Sequence, residues 1–358
     1  MSDSSPSVAT PLRVLFLGEN WYGSCARACC YALRRLGCDV SDIDIQTIQP
    51  QWRKISSRAM LRALSRVISD EYNSLILDTA ASFKPDFVLA FKAAETRAET
   101  LQELRKQGIA LYNYYPDTSA FAHRGFLAEA LPEYDCVFFT KRFGERDVRD
   151  RLHLRAARFL PHGYDSELHY PQQLSQKDIK QYGCDVGVIA TYTKHKENLL
   201  NELVSQYPEI DLQIWGNQWE RCQAVALKKY IQASPLNGSS YAKAIRAFRI
   251  NLAIMSGKVT GASMGDETTT RTYEIPACGG FMLHERSAEV GELFAEGKEI
   301  ECFDGTAELV EKITHYMAHP EKREAIARAG HARCVPAYSY DNCMVEILNW
   351  HTENYAKW

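Results

Sequence analysis

Short apolar runs alternate with amphipathic segments along the whole chain. Residues 12–17 (LRVLFL) form an apolar run closed by Gly18, the pattern of a strand buried on both faces of a parallel sheet. Residues 24–36 carry apolar positions at helical spacing, and Gly37 follows as a C-cap. The alternation continues with strands at 38–45, 86–91, 109–114, 135–140 and 158–160, and helices at 52–83 and 95–107 between them. Residues 161–183 break the rhythm with Pro161, Gly163, Pro171 and a polar Gln/Ser/Lys stretch. A second series follows, with strands at 185–190, 211–215, 250–255, 281–284 and 300–303. Its helices are at 196–207, 241–248, 271–278, 306–319, 320–332 and 338–357, and residues 256–269 form a Gly/Ser/Thr-rich loop. Strands separated by helices imply βαβ units. The pattern therefore predicts an α/β protein with two Rossmann-like domains, their parallel sheets facing each other across a cleft. The expected boundaries are a disordered lead at 1–10, an N-terminal domain at 11–165 and a linker at 166–184. A C-terminal domain at 185–337 and a final helix at 338–358, crossing back to the N-terminal domain, complete the chain.

Composition narrows the function. The 358 residues hold 42 Lys and Arg against 45 Asp and Glu, a net charge of −3, which argues against a nucleic-acid binder. Arg53, Lys54, Arg58, Arg62 and Arg66 are mostly four apart and make one basic helix face. Such faces are usually solvated; peripheral contact with anionic lipid is the alternative. No apolar run approaches the roughly 18 residues of a membrane span. The polar, Ser-rich N-terminus is not a secretory signal, so the expected location is the cytoplasm. The eleven cysteines contain no C-x-x-C pair. They read as buried thiols in a reducing compartment rather than as metal ligands.

Ligands of open α/β sheets bind beyond the carboxyl ends of the strands. The first strand runs into Gly18-Glu-Asn20-Trp21-Tyr22-Gly-Ser24, which is not G-x-G-x-x-G and argues against NAD. Gly18 permits a tight turn, Asn20 is polar, and Trp21 and Tyr22 suit stacking against a sugar face. The alternative is an ordinary strand-to-helix turn. The richest stretch is residues 264–280 (MGDETTTRTYEIPACGG), where a small-residue loop enters a helix through Thr268, Thr269 and Thr270. Backbone N–H groups and hydroxyls there suit an anion, and Arg271 adds a cation for phosphate. Glu274, on nearly the same helix face, suits two ribose hydroxyls. A capped helix with a surface Arg–Glu pair is the alternative.

The motifs TTTRTYEIPACGGFMLHE and CFDGTAELVEKITHYMAHPEKREAIARAGHARC resemble the CgeB-like glycosyltransferases, as do DVGVIATYTKHKENLL, LQIWGNQW and FLPHGYDSELHYP. The resemblance implies a GT-B fold, a C-terminal domain that binds a nucleoside diphosphate sugar, and no obligatory metal. UDP- or GDP-sugar is the expected donor. A wider resemblance to retaining GT-B enzymes rests on Asp266 and Glu274, which have the spacing of an acid-x7-Glu motif. It implies ribose binding by Glu274, a place for Asp266 beside the donor sugar, and a lean towards retention. Lys194 and Lys196, after the first C-terminal strand, stand where such families place a basic pair on the diphosphate. On the acceptor side, Asp117 ends a strand and His123 follows it; either can bind or deprotonate a hydroxyl. His162 stands at the domain junction. The expected reaction moves a hexose to a glycan or small acceptor in polysaccharide biosynthesis. A nucleotide-sugar-binding module without transfer activity, or an NAD-dependent sugar-modifying enzyme, are the alternatives.

Overall fold

The computed structural model describes residues 11–48, 58–122, 126–232 and 234–355. The chain folds as two units, one built from the residues up to Phe159 together with those from Ile347, the other from Leu160–Glu346. The lead expected at 1–10 and His123 lie outside the described residues.

The first unit is a six-stranded parallel sheet with strands β1 (Arg13–Leu17), β2 (Asp39–Ile43), β3 (Phe87–Phe91), β4 (Ala110–Tyr115), β5 (Cys136–Phe139) and β6 (Ala157–Phe159). Their order is β2-β1-β3-β4-β5-β6. The apolar runs form central strands because both faces are covered. Leu15, Leu17, Val88, Ala90, Leu111 and Val137 pack under Tyr72, Ile76, Leu101 and Leu104 from the helices Arg58–Phe83 and Ala98–Lys106. On the opposite face, Phe87, Tyr112 and Phe138 meet His351 and Trp350 of the last helix, Tyr340–Asn354. Residues of that helix up to Glu346 belong to the second unit and those from Ile347 to the first.

The second unit is a five-stranded parallel sheet of β7 (Cys184–Ile189), β8 (Leu212–Trp215), β9 (Phe248–Ala253), β10 (Met282–Glu285) and β11 (Glu301–Phe303), in the order β11-β10-β9-β7-β8. Val186, Val188, Ile214, Ile250, Leu252 and Leu283 are the centre of its larger core. Each such side chain contributes roughly 1.5–3 kcal/mol by leaving water. Both sheets reverse direction once: β1 lies between β2 and β3, and β7 lies between β8 and β9. At such a reversal the connections leave to opposite sides, and the loops after the two central strands part to leave a crevice.

Residues 166–184, expected as a linker, contain the helix Gln176–Tyr182. Ser175 and Asp178 cap it reciprocally, and Lys243 pairs with Asp178 at 3.2 Å. A polar stretch thus folds because its caps satisfy the first-turn amides locally. The charged segment after β5 also forms a helix, Arg142–Leu152, anchored by buried Phe143 and Val148. Among the described residues, no helix is long and apolar enough to cross a membrane.

Candidate functional site

The crevice between β7 and β9 gathers most of the expected site residues of the second unit. The chain leaves β7 and enters the helix Lys194–Gln206, whose N-cap Thr193 accepts from the Lys196 N–H. Lys196 is only 2% exposed. Its Nζ donates to Ser256 Oγ at 3.0 Å and approaches Thr193 Oγ1 at 3.4 Å. Ser256 follows β9, so this bond ties together the two loops that flank the reversal. Burial, and then the Arg271 guanidinium, push the Lys196 ammonium down to about 8, against the pull of Asp266 and Glu285. Lys194 points elsewhere. It is 61% exposed and pairs at 3.1 Å with Glu197, which also accepts from Tyr192 and the amides of Gln223 and Ala224.

The loop after β9 enters the helix Arg271–Ala277 through the three threonines. Each has its own task. Thr268 is fully buried and donates to Glu289 at 2.8 Å, so it anchors the loop. The Thr269 N–H donates to Thr272 Oγ1 at 3.0 Å, and Thr272 in turn bonds His284 Nε2 at 2.9 Å. The other His284 nitrogen lies 2.6 Å from the Glu285 carbonyl. Burial pushes His284 down to about 4, so the imidazole is neutral near pH 7. Its Nδ1–H donates to the carbonyl, and Nε2 accepts from Thr272. Among the described residues the hydroxyl of Thr269 and Nε of Arg271 are buried without partners, while Arg271 Nη2 donates to the Ile254 carbonyl at 3.0 Å. The amides of Thr270 and Arg271 meet no acceptor among the described residues. Free amides are ordinary in the first turn of a helix, while buried side-chain donors without partners are rare; together they suit an anionic ligand.

Glu274 completes the group. It is 9% exposed, and its Oε2 accepts from the Tyr241 hydroxyl at 2.5 Å and from Thr270 at 3.1 Å. Asp266 is held by its N–H to the Ser256 carbonyl at 3.0 Å, with its charge felt at Lys196. Sequence reasoning missed Ser256, Tyr241, His284, Glu285 and His195. Glu285 ends β10, accepts the Met255 N–H and pairs with His195 at 2.8 Å, which raises the His195 pKa. Nothing in the local sequence marks these five except that Ser256 opens the small-residue loop.

In the first unit, the loop after β1 is tied down at both ends. A Cβ on Gly18 would lie 2.8 Å from the Phe16 ring and 3.0 Å from Ala26. The Asn20 N–H and Nδ2 donate to Asp44 and Asp42 at 3.0 and 2.9 Å. Trp21 and Tyr22 are 41% and 53% exposed, with Trp21 donating to Glu19 and the Arg27 guanidinium 5.5 Å from the Tyr22 ring. Asp117, beyond β4, forms a 2.6 Å ion pair with Lys92, beyond β3. His162 belongs to the second unit and is not open to a ligand: it is 5% exposed and packs against the Tyr340 hydroxyl at 3.4 Å. Among the described residues, no three His, Cys, Asp or Glu side chains converge to hold a metal ion. All eleven cysteines are free, and burial pushes the Cys30 thiol up to about 12.

Residues 193–349 match the model of a family described as glycosyl transferase-like. Sucrose-phosphate synthase from Thermosynechococcus elongatus superposes with a TM-score of 0.68, at 13% identity, over 96% of this chain and 99% of that one. The fold is GT-B. Anabaena HepE, solved in complex with UDP and glucose, has the GT-B arrangement at TM-score 0.60 and 13% identity, covering 96% of this chain and 100% of its own. UDP-GlcNAc 2-epimerase from Neisseria meningitidis, bound to UDP-GlcNAc, matches the same GT-B chain at TM-score 0.55 and 13% identity, with 96% and 100% covered. No curated protein matches by sequence. The glycosyl transferase-like match covers the crevice of Lys196, Ser256, Arg271 and Glu274 in the GT-B C-terminal unit.

Proposed function

We propose that the chain is a CgeB-like glycosyltransferase that moves a hexose from a nucleoside diphosphate sugar, UDP- or GDP-linked, to a hydroxyl of a glycan or small acceptor. One observation carries this reading. Among the described residues, a buried lysine, a buried arginine Nε without a partner, two amides without acceptors and a carboxylate with one loaded oxygen converge at one reversal point. Cations and free N–H groups suit a diphosphate; a carboxylate beside them suits a ribose diol.

Breaking the bond between sugar and phosphate leaves positive charge on the sugar and negative charge on the departing diphosphate. Lys196, Arg271, the Thr269 hydroxyl and the amides of Thr270 and Arg271 would meet that negative charge. Held in place beforehand, they lower the barrier without reorganising. They supply this charge themselves, so the reading needs no metal. Glu274 would fix the ribose, and Asp266 would lie beside the donor sugar, in keeping with retention. Asp117 would hold the acceptor hydroxyl or take its proton. The same fold is found in UDP-GlcNAc 2-epimerase, so donor binding alone does not decide between transfer and another sugar-nucleotide reaction.

The test is thermal unfolding with UDP, GDP, ADP, TDP, CMP and NAD, in EDTA and again with magnesium, followed by transfer assays with the matching sugars. A ligand at a hundred times its Kd stabilises by about 2.7 kcal/mol. Stabilisation by one nucleoside diphosphate in EDTA, lost in Glu274→Ala, supports the donor site. Stabilisation by NAD alone overturns it.

A further inference from the structure

The carboxylate of Glu274 takes its aim from a tyrosine that the donor reading does not use. Tyr241, in the helix Gly238–Ala247, is 8% exposed, and its hydroxyl lies 2.5 Å from Glu274 Oε2. The Thr270 hydroxyl donates to the same oxygen at 3.1 Å. Both donors therefore load Oε2, while Oε1 meets no partner among the described residues. The last torsion of a glutamate is broad, so a carboxylate without such donors samples many orientations. Burial and the adjacent carboxylate raise the Tyr241 pKa well above 10, which keeps its hydroxyl a donor.

Tyr241 is held in turn. The His169 ring lies against it with centroids 5.5 Å apart. His169 is locked into a turn: its Nδ1 accepts the Asp165 N–H at 3.1 Å, and its own N–H donates to the Asp165 carbonyl at 2.8 Å. The motif FLPHGYDSELHYP thus backs a side chain that touches Glu274.

We propose that Tyr241, backed by His169, is a positioning residue that holds Oε2 of Glu274 so that Oε1 stays presented to the vicinal diol of a bound ribose. This rests on the donor reading above. The test compares the affinity of the full chain for UDP and 2′-deoxy-UDP, and for GDP and 2′-deoxy-GDP, by calorimetry. A hydrogen bond to a charged group corresponds to about a tenfold preference for the ribonucleotide in the wild type. In Tyr241→Phe that preference shrinks to about threefold or less, through weaker ribonucleotide binding with the deoxynucleotide unchanged. Thr270→Val, which removes the other donor, and His169→Leu, which removes the backing, narrow it in the same direction. A preference unchanged in Tyr241→Phe, or equal weakening of both nucleotides, overturns the proposal. Glu274→Ala separates the two levels. If it keeps the preference, the ribose role of Glu274 falls. If it abolishes the preference while Tyr241→Phe retains it, only the positioning role falls.

Discussion

Raising the pH through 8 is expected to weaken diphosphate binding, because a buried amine supplies part of the charge. Burial and Arg271 hold Lys196 down from 10.5 to about 8. In the unfolded chain the amine keeps its ordinary value of about 10.4. Between these values the unfolded chain binds a proton that the folded protein has released, so stability without ligand rises with pH across that window. Below it the full penalty is present. At about 1.4 kcal/mol per unit, the fall from 10.5 to about 8 corresponds to roughly 3 kcal/mol. A bound diphosphate reverses the balance by restoring the charged form. Its phosphates, with a second pKa of about 6, are already ionised there and contribute no proton of their own. Binding at pH 9 should therefore take up close to one proton, and affinity should fall towards tenfold per pH unit above 8. Calorimetry with UDP and GDP at pH 7 and pH 9, each in two buffers of different ionisation enthalpy, reads the proton directly. Lys196→Met should remove the uptake and weaken binding at pH 7 by about ten- to a hundredfold. The same variant should unfold at a higher temperature without ligand, since an apolar side chain replaces a buried charge. Equal proton uptake in the wild type and Lys196→Met, or an affinity flat between pH 7 and 9.5, would refute the assignment of Lys196 to the diphosphate.

Asp117→Ala should abolish transfer while leaving donor affinity within about twofold; the lost pair with Lys92 is about a third exposed on both sides, so stability should change by less than about 1 kcal/mol. Loss of transfer and donor binding together would remove Asp117 from the acceptor side. A Cβ on Gly187 in β7 would lie 1.9 Å from the Phe248 ring, so Gly187→Ala should lower stability by roughly 1–3 kcal/mol in urea titration. An unchanged midpoint would contradict the close packing there. His284 is neutral and buried with its pKa at about 4, so the unfolded chain gains a proton first as pH falls from 6.5, and stability should drop by roughly 3 kcal/mol towards pH 4. His284→Gln should flatten that acid limb, and identical slopes in the two proteins would sink the reading.

The central strands were legible because they are buried on both faces and so appear as unbroken apolar runs, from LRVLFL to INLAIM, whereas the edge strands β2 and β6 are largely half-buried. The helix Arg142–Leu152 was not, since little of its sequence beyond Phe143 and Val148 is apolar and buried. The helix Gln176–Tyr182 did carry a sign, Ser175 followed by Asp178, but it sat in a stretch whose prolines and polarity read as a linker. In the candidate site, Lys196, Arg271 and Glu274 were legible because each lies in the opening turns of a helix that follows a strand. Their partners were not, because hydrogen bonds such as Lys196 to Ser256 and Tyr241 to Glu274 join residues far apart in the chain. The Lys196–Ser256 pair follows from β7 and β9 being neighbours in the sheet, with β8 displaced to the outside, while Tyr241 and Glu274 lie on the helices before and after β9. Local spacing determines which residues reach a sheet edge; strand order determines which edges meet. The lowered pKa of Lys196 depends on both, since Arg271 lies on a helix that follows β9, while Lys196 lies on one that follows β7. Moving β9 away from β7 would leave both residues on their helices and take away the electrostatic coupling between them on which the proposed diphosphate role depends.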